Sequence, residues 1–271
     1  MTNDGKLQGW ALILGASSGF GGATAVELAR NGMDIFGVHM DLRSTLPNAQ
    51  AVMDAIRAEG RQAVFFNMNA ADAAKRKDAV DAIAAKAAET GSFIRVLMHS
   101  LAFGTLQPVI ADNPKGALSQ RQMEMTLDVM GNSLIYWAQD LARHNLLRRG
   151  SRIFAMTSSG STRVIRSYGA VSAAKAALEA HIRQLAFELA PLGVTANAIR
   201  AGVTDTPALR RIPEGPALLE RSAKSNPSGR ATTPDDVAKA IAALSDERLH
   251  WMTGNVIGID GGEEITVCLF D

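Results

Sequence analysis

The chain has 271 residues, 47% of them hydrophobic, and a formal net charge of +1 at pH 7 from 28 Lys and Arg against 27 Asp and Glu. That length and apolar fraction suffice for one large core, so a single domain is expected, and the interspersed charges leave no basic stripe for a nucleic acid. The opening MTNDGKLQGW lacks an apolar signal stretch and no window approaches the ~18 uninterrupted apolar residues of a membrane span, which points to a cytosolic protein with no membrane partner. The single cysteine, Cys268, excludes an internal disulfide, and five histidines without ligand spacing make a metal site unexpected.

Apolar Trp10-Ala11-Leu12-Ile13-Leu14 reads as a first strand, followed by Gly15-Ala16-Ser17-Ser18-Gly19-Phe20-Gly21-Gly22 and a helical run from Ala23 to Arg30. Glycines at this G-x3-G-x-G spacing let the chain turn tightly, so that backbone N–H groups and a positive helix end can meet a pyrophosphate. Asp34 to Val38 reads as a second strand, and the residues at its end, His39, Asp41 and Arg43, are placed to meet a cofactor ribose. Asp41 can bind ribose hydroxyls from an offset position, or Arg43 can pair a phosphate; His39 is equally readable as an inert strand-end residue. A regular cadence follows: helix to Gly60, strand Gln62 to Phe66, helix from about Asp72 to Gly91, strand Arg95 to Met98. Glycines 32, 60, 91, 150 and 193 each follow a helical pattern, as left-handed cap residues do. Such alternation predicts a parallel sheet with helices on both faces and right-handed crossovers.

After the fourth strand comes His99-Ser100-Leu101-Ala102-Phe103-Gly104, then a loop from Leu106 to Gly116 and a long helical pattern from Leu118 to Leu147. Met123, Met125 and Met130 recur at helical spacing, which suits core packing. Residues 151–156 read as a short strand, and the polar stretch Thr157 to Lys175, TSSGSTRVIRSYGAVSAAK, falls where strand gives way to helix. In open α/β sheets the crevice beyond the strands' carboxyl ends binds ligands. Tyr168 and Lys175 are seven apart, on a helix about 20° short of two turns and roughly 10.5 Å of rise, so both leave from one face. The bland alternative has Tyr168 capping the helix and Lys175 as a solvated charge. The helix runs to about Ala190, a sixth strand spans Val194 to Ile199, and Arg200-Ala201-Gly202-Val203-Thr204-Asp205-Thr206 follows it. Residues 207–226, with Pro207, Pro213, Pro216 and Pro227 around apolar Leu209, Ile212, Leu218 and Leu219, read as a lid over substrate or as a subunit contact. A helix from about Pro234 to Ser245 and a strand Val256 to Ile259 with Asp260-Gly261-Gly262 complete the pattern.

The Gly-rich start, the sheet rhythm and the Tyr/Lys pair make nearly the whole chain resemble a short-chain dehydrogenase/reductase. That resemblance implies a single-domain Rossmann fold, a doubly wound parallel sheet of about seven strands. Most members place Lys four residues after Tyr, where this chain has Val171 four before Lys175; Tyr-x6-Lys is similar to the enoyl-acyl carrier protein reductase branch, and His99-Ser100-x-Ala102-Phe103 resembles that branch again. By resemblance the cofactor is held by Gly15, Ser17, Ser18, Gly19, Phe20 and Gly21, with His39, Asp41 and Arg43 at its ribose and Asn69 and Ala70 beside the adenine. Ser100, Leu101 and Ala102 pass under the nicotinamide ribose, Gly202 and Val203 meet the nicotinamide amide, and Thr206 a phosphate. Phe103 and Leu209 border the substrate. His99 is expected to be a hydrogen-bonded core residue without a catalytic proton. Three departures stand out: Leu14 and Ala201 replace the family's Thr and Pro, and Met130 aligns with the Asn that holds a relay water in ketone reducers. NADPH is favoured over NADH because Asp is absent from position 39.

The reaction implied is reduction of the double bond of a 2-enoyl thioester on acyl carrier protein or coenzyme A. Tyr168 donates a hydrogen bond to the thioester oxygen, Lys175 grips the nicotinamide ribose, and Ser158 either touches substrate or caps the turn. The rivals are a carbonyl reductase of the same fold, in which Ser158 and Tyr168 hold a ketone oxygen, and a cofactor-binding regulator without turnover. Family members are mostly homotetramers built through long helices, here about 118–147 and 168–190.

Overall fold

The computed structural model describes residues 7–212 and 214–266, so Pro213 and Cys268 lie outside the described residues. Seven strands, β1 Trp10–Leu14, β2 Asp34–His39, β3 Ala63–Asn67, β4 Ile94–His99, β5 Arg152–Thr157, β6 Thr195–Ala201 and β7 Val256–Ile259, form one sheet in the order β3-β2-β1-β4-β5-β6-β7. Every neighbouring pair is parallel. The sheet is therefore doubly wound, and its direction of progression reverses between β1 and β4, where Leu14 pairs with His99.

The two faces follow from the period of two along each strand. Trp10, Leu12, Leu14, Phe36 and Val38 point to one side and pack with Val80 and Ile83 of α3 (Ala73–Glu89), Trp137 and Leu141 of α5 (Ser133–Arg143), and Leu178 and Ile182 of α6 (Gly169–Glu188). Ala11, Ile13, Ile35, Val96, Met98, Phe154 and Ile199 point to the other, against α1 (Gly19–Arg30), α2 (Leu46–Ala58) and α8 (Pro234–Leu244). A sheet covered on both faces needs strands that are apolar throughout, and β1 is buried at all five positions.

Most expected elements recur within a residue or two, and three differ. First, α1 begins at Gly19 rather than Ala23, because glycines that weaken an isolated helix are needed for its contact with the turn before it. Second, the pattern from Leu118 to Leu147 is not one helix: α4 (Gln120–Leu127) passes through a π turn, Asp128–Asn132, into α5, which stops at Arg143. Third, all five predicted cap glycines have φ between +61° and +100°, but Gly150 closes a turn before β5, well past the end of α5. The lid segment folds as a short 3-10 turn, Leu209–Arg211, and a helix, α7 (Gly215–Ser225). Among the described residues no helix is long and apolar enough to cross a membrane, and no three His, Cys, Asp or Glu side chains cluster as a metal site.

Trp10 anchors the start of β1: it is 1% exposed and its ring stacks on Phe36, centroids 4.0 Å apart at 20°. Trp10→Ala is expected to cost about 3–5 kcal/mol, read as a fall in the urea midpoint with an unchanged slope.

Candidate active site

The carboxyl ends of β1, β2 and β4 are tied together by backbone. The N–H groups of Gly15 and Ala16 donate to the Val38 carbonyl at 2.8 and 3.0 Å, and that of Ser100 donates to Leu14 at 2.8 Å. A Cβ on Gly15, whose φ is +94°, would stand 2.4 Å from the Ser100 carbonyl oxygen, and one on Gly21 would stand 2.1 Å from that of Gly15. Only glycine lets this turn close. Ser18 precedes α1 in extended conformation with no side-chain cap bond, and the first turn holds no acidic residue. The N–H groups at this helix end are thus left for an anion. From the opposite side the Thr206 methyl group lies 3.6 Å from where a Cβ on Gly19 would be. A floor of glycine, an uncapped helix N-terminus and a flanking hydroxyl fit the pyrophosphate of a dinucleotide.

At the end of β2, Asp41 is held on all sides. His39 Nδ1 lies 2.9 Å from its carboxylate, its N–H donates to Asn67 Oδ1 at 3.0 Å, and its carbonyl accepts from Asn67 Nδ2 at 3.0 Å. Burial pushes the Asp41 carboxyl up, but hydrogen bonds from Thr45, Ser17 and His39 outweigh it and hold the group below the usual carboxylate range. Asp41 is therefore anionic, with His39 against its carboxylate. His39 is buried beneath it, whereas Arg43 is exposed at the rim of a cavity of about 520 Å³ shared with His39, Leu46, Phe65 and Asn67. Asn69 is exposed and folds its Oδ1 onto the Ala71 N–H, 3.0 Å, while the Ala70 carbonyl is taken by the Trp137 indole at 2.9 Å.

His99 at the end of β4 is a core residue. Its Nε2 lies 2.9 Å from Ser133 Oγ. Because the Ser133 hydroxyl itself donates to the Val129 carbonyl, 2.8 Å, the imidazole must be the donor, leaving Nδ1 as a bare acceptor. Burial, then the nearby Lys175 ammonium, pushes its pKa down to about 3. Beyond it Leu101 is half-buried, Ala102 and Phe103 are exposed, and Gly104 leaves no room for a Cβ, which would lie 2.8 Å from the sulfur of Met130 and from side-chain carbons of Thr126 and Val171. Met130, 3% exposed, is core packing within the π turn.

One short stretch, Met156 to Gly160, meets both expected catalytic groups. Lys175 is 5% exposed, and its Nζ donates to the Met156 carbonyl at 2.6 Å. The surface-charge alternative is therefore excluded. Burial pushes the ammonium down to about 8, with Glu179 acting in the opposite sense. Ser158 accepts from the Gly160 N–H at 3.1 Å, capping the turn Ser159–Ser161, and acts on the Tyr168 phenol to lower its pKa. The Tyr168 ring lies on Gly160, where a Cβ would sit 2.7 Å from Cε1. Tyr168 itself is not within the helix: it is the N-cap of α6, at φ −101° and ψ 3°, and it follows Ser167, whose φ is +58°. The ideal-helix projection of the pair is corrected accordingly; the phenol is aimed by a left-handed residue and a glycine bed rather than by helix periodicity. Its pKa is raised by burial, against which Ser158 acts.

Past β6, the Val203 N–H, expected to serve a nicotinamide amide, donates to Glu263 Oε2 at 3.0 Å, and Ser222 of α7 donates to the same oxygen at 2.7 Å. Gly202 lies beneath, with no space for a Cβ beside Thr232 and Glu263. Thr206 Oγ1 accepts from the Leu209 N–H, 3.2 Å, and Leu209 is half-buried at the root of the lid. Glu263, Asn67, Thr157 and Glu179 are site-shaping residues that composition and motif reading missed. For Glu179 the signal was present, one helical turn past Lys175, but it reads equally as an ordinary surface pair.

An anion cradle at a switch point, a strand-end carboxylate, and a buried lysine and a tyrosine that both meet the stretch Met156 to Gly160 define a dinucleotide-dependent oxidoreductase. The chain belongs to the short-chain dehydrogenase/reductase superfamily: residues 15–264 match the family model described as enoyl-(acyl carrier protein) reductase. It is 30% identical to the 3-oxoacyl-acyl-carrier-protein reductase of Aggregatibacter actinomycetemcomitans, over 93% of this chain and 97% of that protein. A short-chain dehydrogenase from Burkholderia cenocepacia, solved in complex with NADP, is 30% identical, with a TM-score of 0.79 and coverage of 96% and 98% of the two chains. The NADH-dependent enoyl-acyl carrier protein reductase of Aquifex aeolicus shares the fold at a TM-score of 0.81, with 23% identity over 97% and 98%.

The neutral His99 makes a prediction with a definite sign. Its folded pKa is depressed to about 3, so below about 6.5 the unfolded chain takes up a proton that the native state refuses, and stability falls as pH drops towards 3. The loss is up to about 4 kcal/mol. His99→Gln should flatten that part of the urea-stability profile between pH 6.5 and 4.

Proposed function

We propose that this cytosolic enzyme reduces the carbon–carbon double bond of a 2-enoyl thioester carried on acyl carrier protein or coenzyme A, using NADPH. The observation that carries this reading is the state of Tyr168. Burial raises its pKa, with Ser158 acting in the opposite sense, and the hydrogen bond described for Lys175 goes to the Met156 carbonyl and not to the phenol. A phenol without a neighbouring cation to acidify it is a hydrogen-bond donor rather than a ready acid. Donation is what an enolate needs, whereas an alkoxide formed from a ketone must take the proton outright.

When bound, the reduced nicotinamide supplies a hydride to the β-carbon. Tyr168 donates to the thioester oxygen as negative charge collects there, on the order of 3 kcal/mol of stabilisation for one such donor. The α-carbon then takes its proton from solvent. Lys175 offers its remaining N–H groups to the nicotinamide ribose, and Ser100 to Ala102 run beneath that ribose. Phe103 and Leu209 line the acyl side. The glycine turn, with Ser17, Ser18 and Phe20, takes the pyrophosphate, and Asn69 and Ala70 flank the adenine. NADPH is preferred because the Asp41 carboxylate is engaged by three donors, while Arg43 lines the cavity rim with no acidic partner among the described ion pairs. The assembly is a homotetramer through the α4–α5 and α6 faces.

Carbonyl reduction is the second reading, favoured by the action of Ser158 on the Tyr168 phenol and by the activity named for the Aggregatibacter relative. Crotonyl and acetoacetyl thioesters, assayed side by side by NADPH oxidation, separate the two: turnover of crotonyl thioester is expected, and turnover of the ketone alone overturns the enoyl assignment. Tyr168→Phe should reduce kcat by about 100-fold with little change in cofactor KM. Arg43→Leu should raise the KM for NADPH roughly tenfold and leave that for NADH unchanged.

A further inference from the structure

Glu179 touches none of the groups expected to meet cofactor or substrate, yet it sits at the junction on which Lys175 depends. One helical turn beyond Lys175, its Oε1 accepts from the Thr157 hydroxyl at 2.6 Å. Thr157 is the last residue of β5 and is 7% exposed. The preceding residue, Met156, gives its carbonyl to Lys175 Nζ, also at 2.6 Å. Two side-chain links from α6 thus hold two consecutive residues of β5, and the second is the single hydrogen bond described for the ammonium.

The surroundings of Lys175 are otherwise short of charge. β4 presents His99, neutral and wholly buried; the start of α6 presents the Tyr168 phenol, also neutral; and β5 presents Met156 and Thr157. His181, further along α6, is pushed down by burial, and its ring lies 3.1 Å from Asn132 of the π turn. Burial works against the charged form of Lys175, and among the described residues Glu179 is the charge acting to retain it.

We propose that Glu179 is a positioning residue for Lys175: through Thr157 it sets the β5 carbonyl on which the ammonium rests, and its carboxylate supplies the countercharge to that ammonium. The inference rests on the reading of Lys175 as the ribose anchor. Glu179 is half-buried, so its influence is damped by solvent but not abolished.

The experiment is the pH dependence of cofactor affinity, by fluorescence titration of NADPH from pH 6 to 10, together with the split between kcat and KM. The proteins are the wild type, Glu179→Gln, Glu179→Asp and Lys175→Ala. Glu179→Gln keeps an acceptor for Thr157 and removes the charge. Its alkaline loss of affinity is expected about half a pH unit lower than in the wild type, with NADPH KM at pH 8.5 raised about threefold and kcat nearly unchanged. Glu179→Asp retains the charge at greater distance and should move the limb by less, a graded order that decides the matter if one variant folds poorly. A limb that stays at its wild-type position in Glu179→Gln, or in Glu179→Asp where only that variant folds, overturns the proposal. Unchanged NADPH affinity in Lys175→Ala overturns the anchoring role on which it rests, and is distinguishable because it needs no Glu179 variant.

Discussion

An ammonium held almost wholly out of water is the constraint from which the site follows. Placing Lys175 at 5% exposure costs several kcal/mol unless its charge is answered. The answer is assembled from backbone and one carboxylate: the Met156 carbonyl at 2.6 Å and the field of Glu179. Both require α6 to lie at a set height against the end of β5. That height is secured by an apolar stripe, Val171, Ala174, Leu178, Ile182 and Leu185, at the spacing of one helix face. The π turn comes in close enough that a Cβ on Gly131 would stand 3.2 Å from the Ala174 carbonyl. The lysine is therefore positioned by the packing of a whole helix.

Tyr168 is positioned by other means, and the difference matters for what it can do. It stands before the helix, turned by a serine in left-handed conformation, with its ring laid on Gly160. A left-handed non-glycine residue costs of order 1 kcal/mol, and such strain persists where surrounding structure over-determines it. Here the cap of Ser158 on Gly160 and the packing of the ring supply that determination. Tyrosine and lysine thus belong to two separately built supports that meet at one stretch of chain, Met156 to Gly160.

The sheet was readable because its strands are mainly apolar and bounded by turn residues, and β1 and β7 fall where the residue pattern put them. The phosphate cradle was readable for the same reason that it works: only glycine allows backbone atoms at Gly15 and Gly21 to approach so closely. What the residue pattern does not encode are contacts whose partners are distant in sequence. Asn67 with Asp41, Glu263 with Val203 and Ser222, and Thr157 with Glu179 are polar pairings across 22 to 60 residues. No local periodicity encodes them. The long helical run was readable, but its π turn was not, since a single π turn leaves the apolar pattern on both sides intact.

That turn has a consequence for how the protein tolerates change in length. A π turn holds one residue more than an α turn, and each helical residue rotates its successors by about 100°. The widened turn absorbs that extra residue, so the helix on either side keeps its facing, and Trp137 and Leu141 of α5 reach the sheet, the indole of Trp137 bonding Ala70. Losing one residue between Asp128 and Asn132 would let that turn tighten to an ordinary α turn with the aromatic still facing the sheet, whereas one further insertion there would leave the indole pointing away from Ala70.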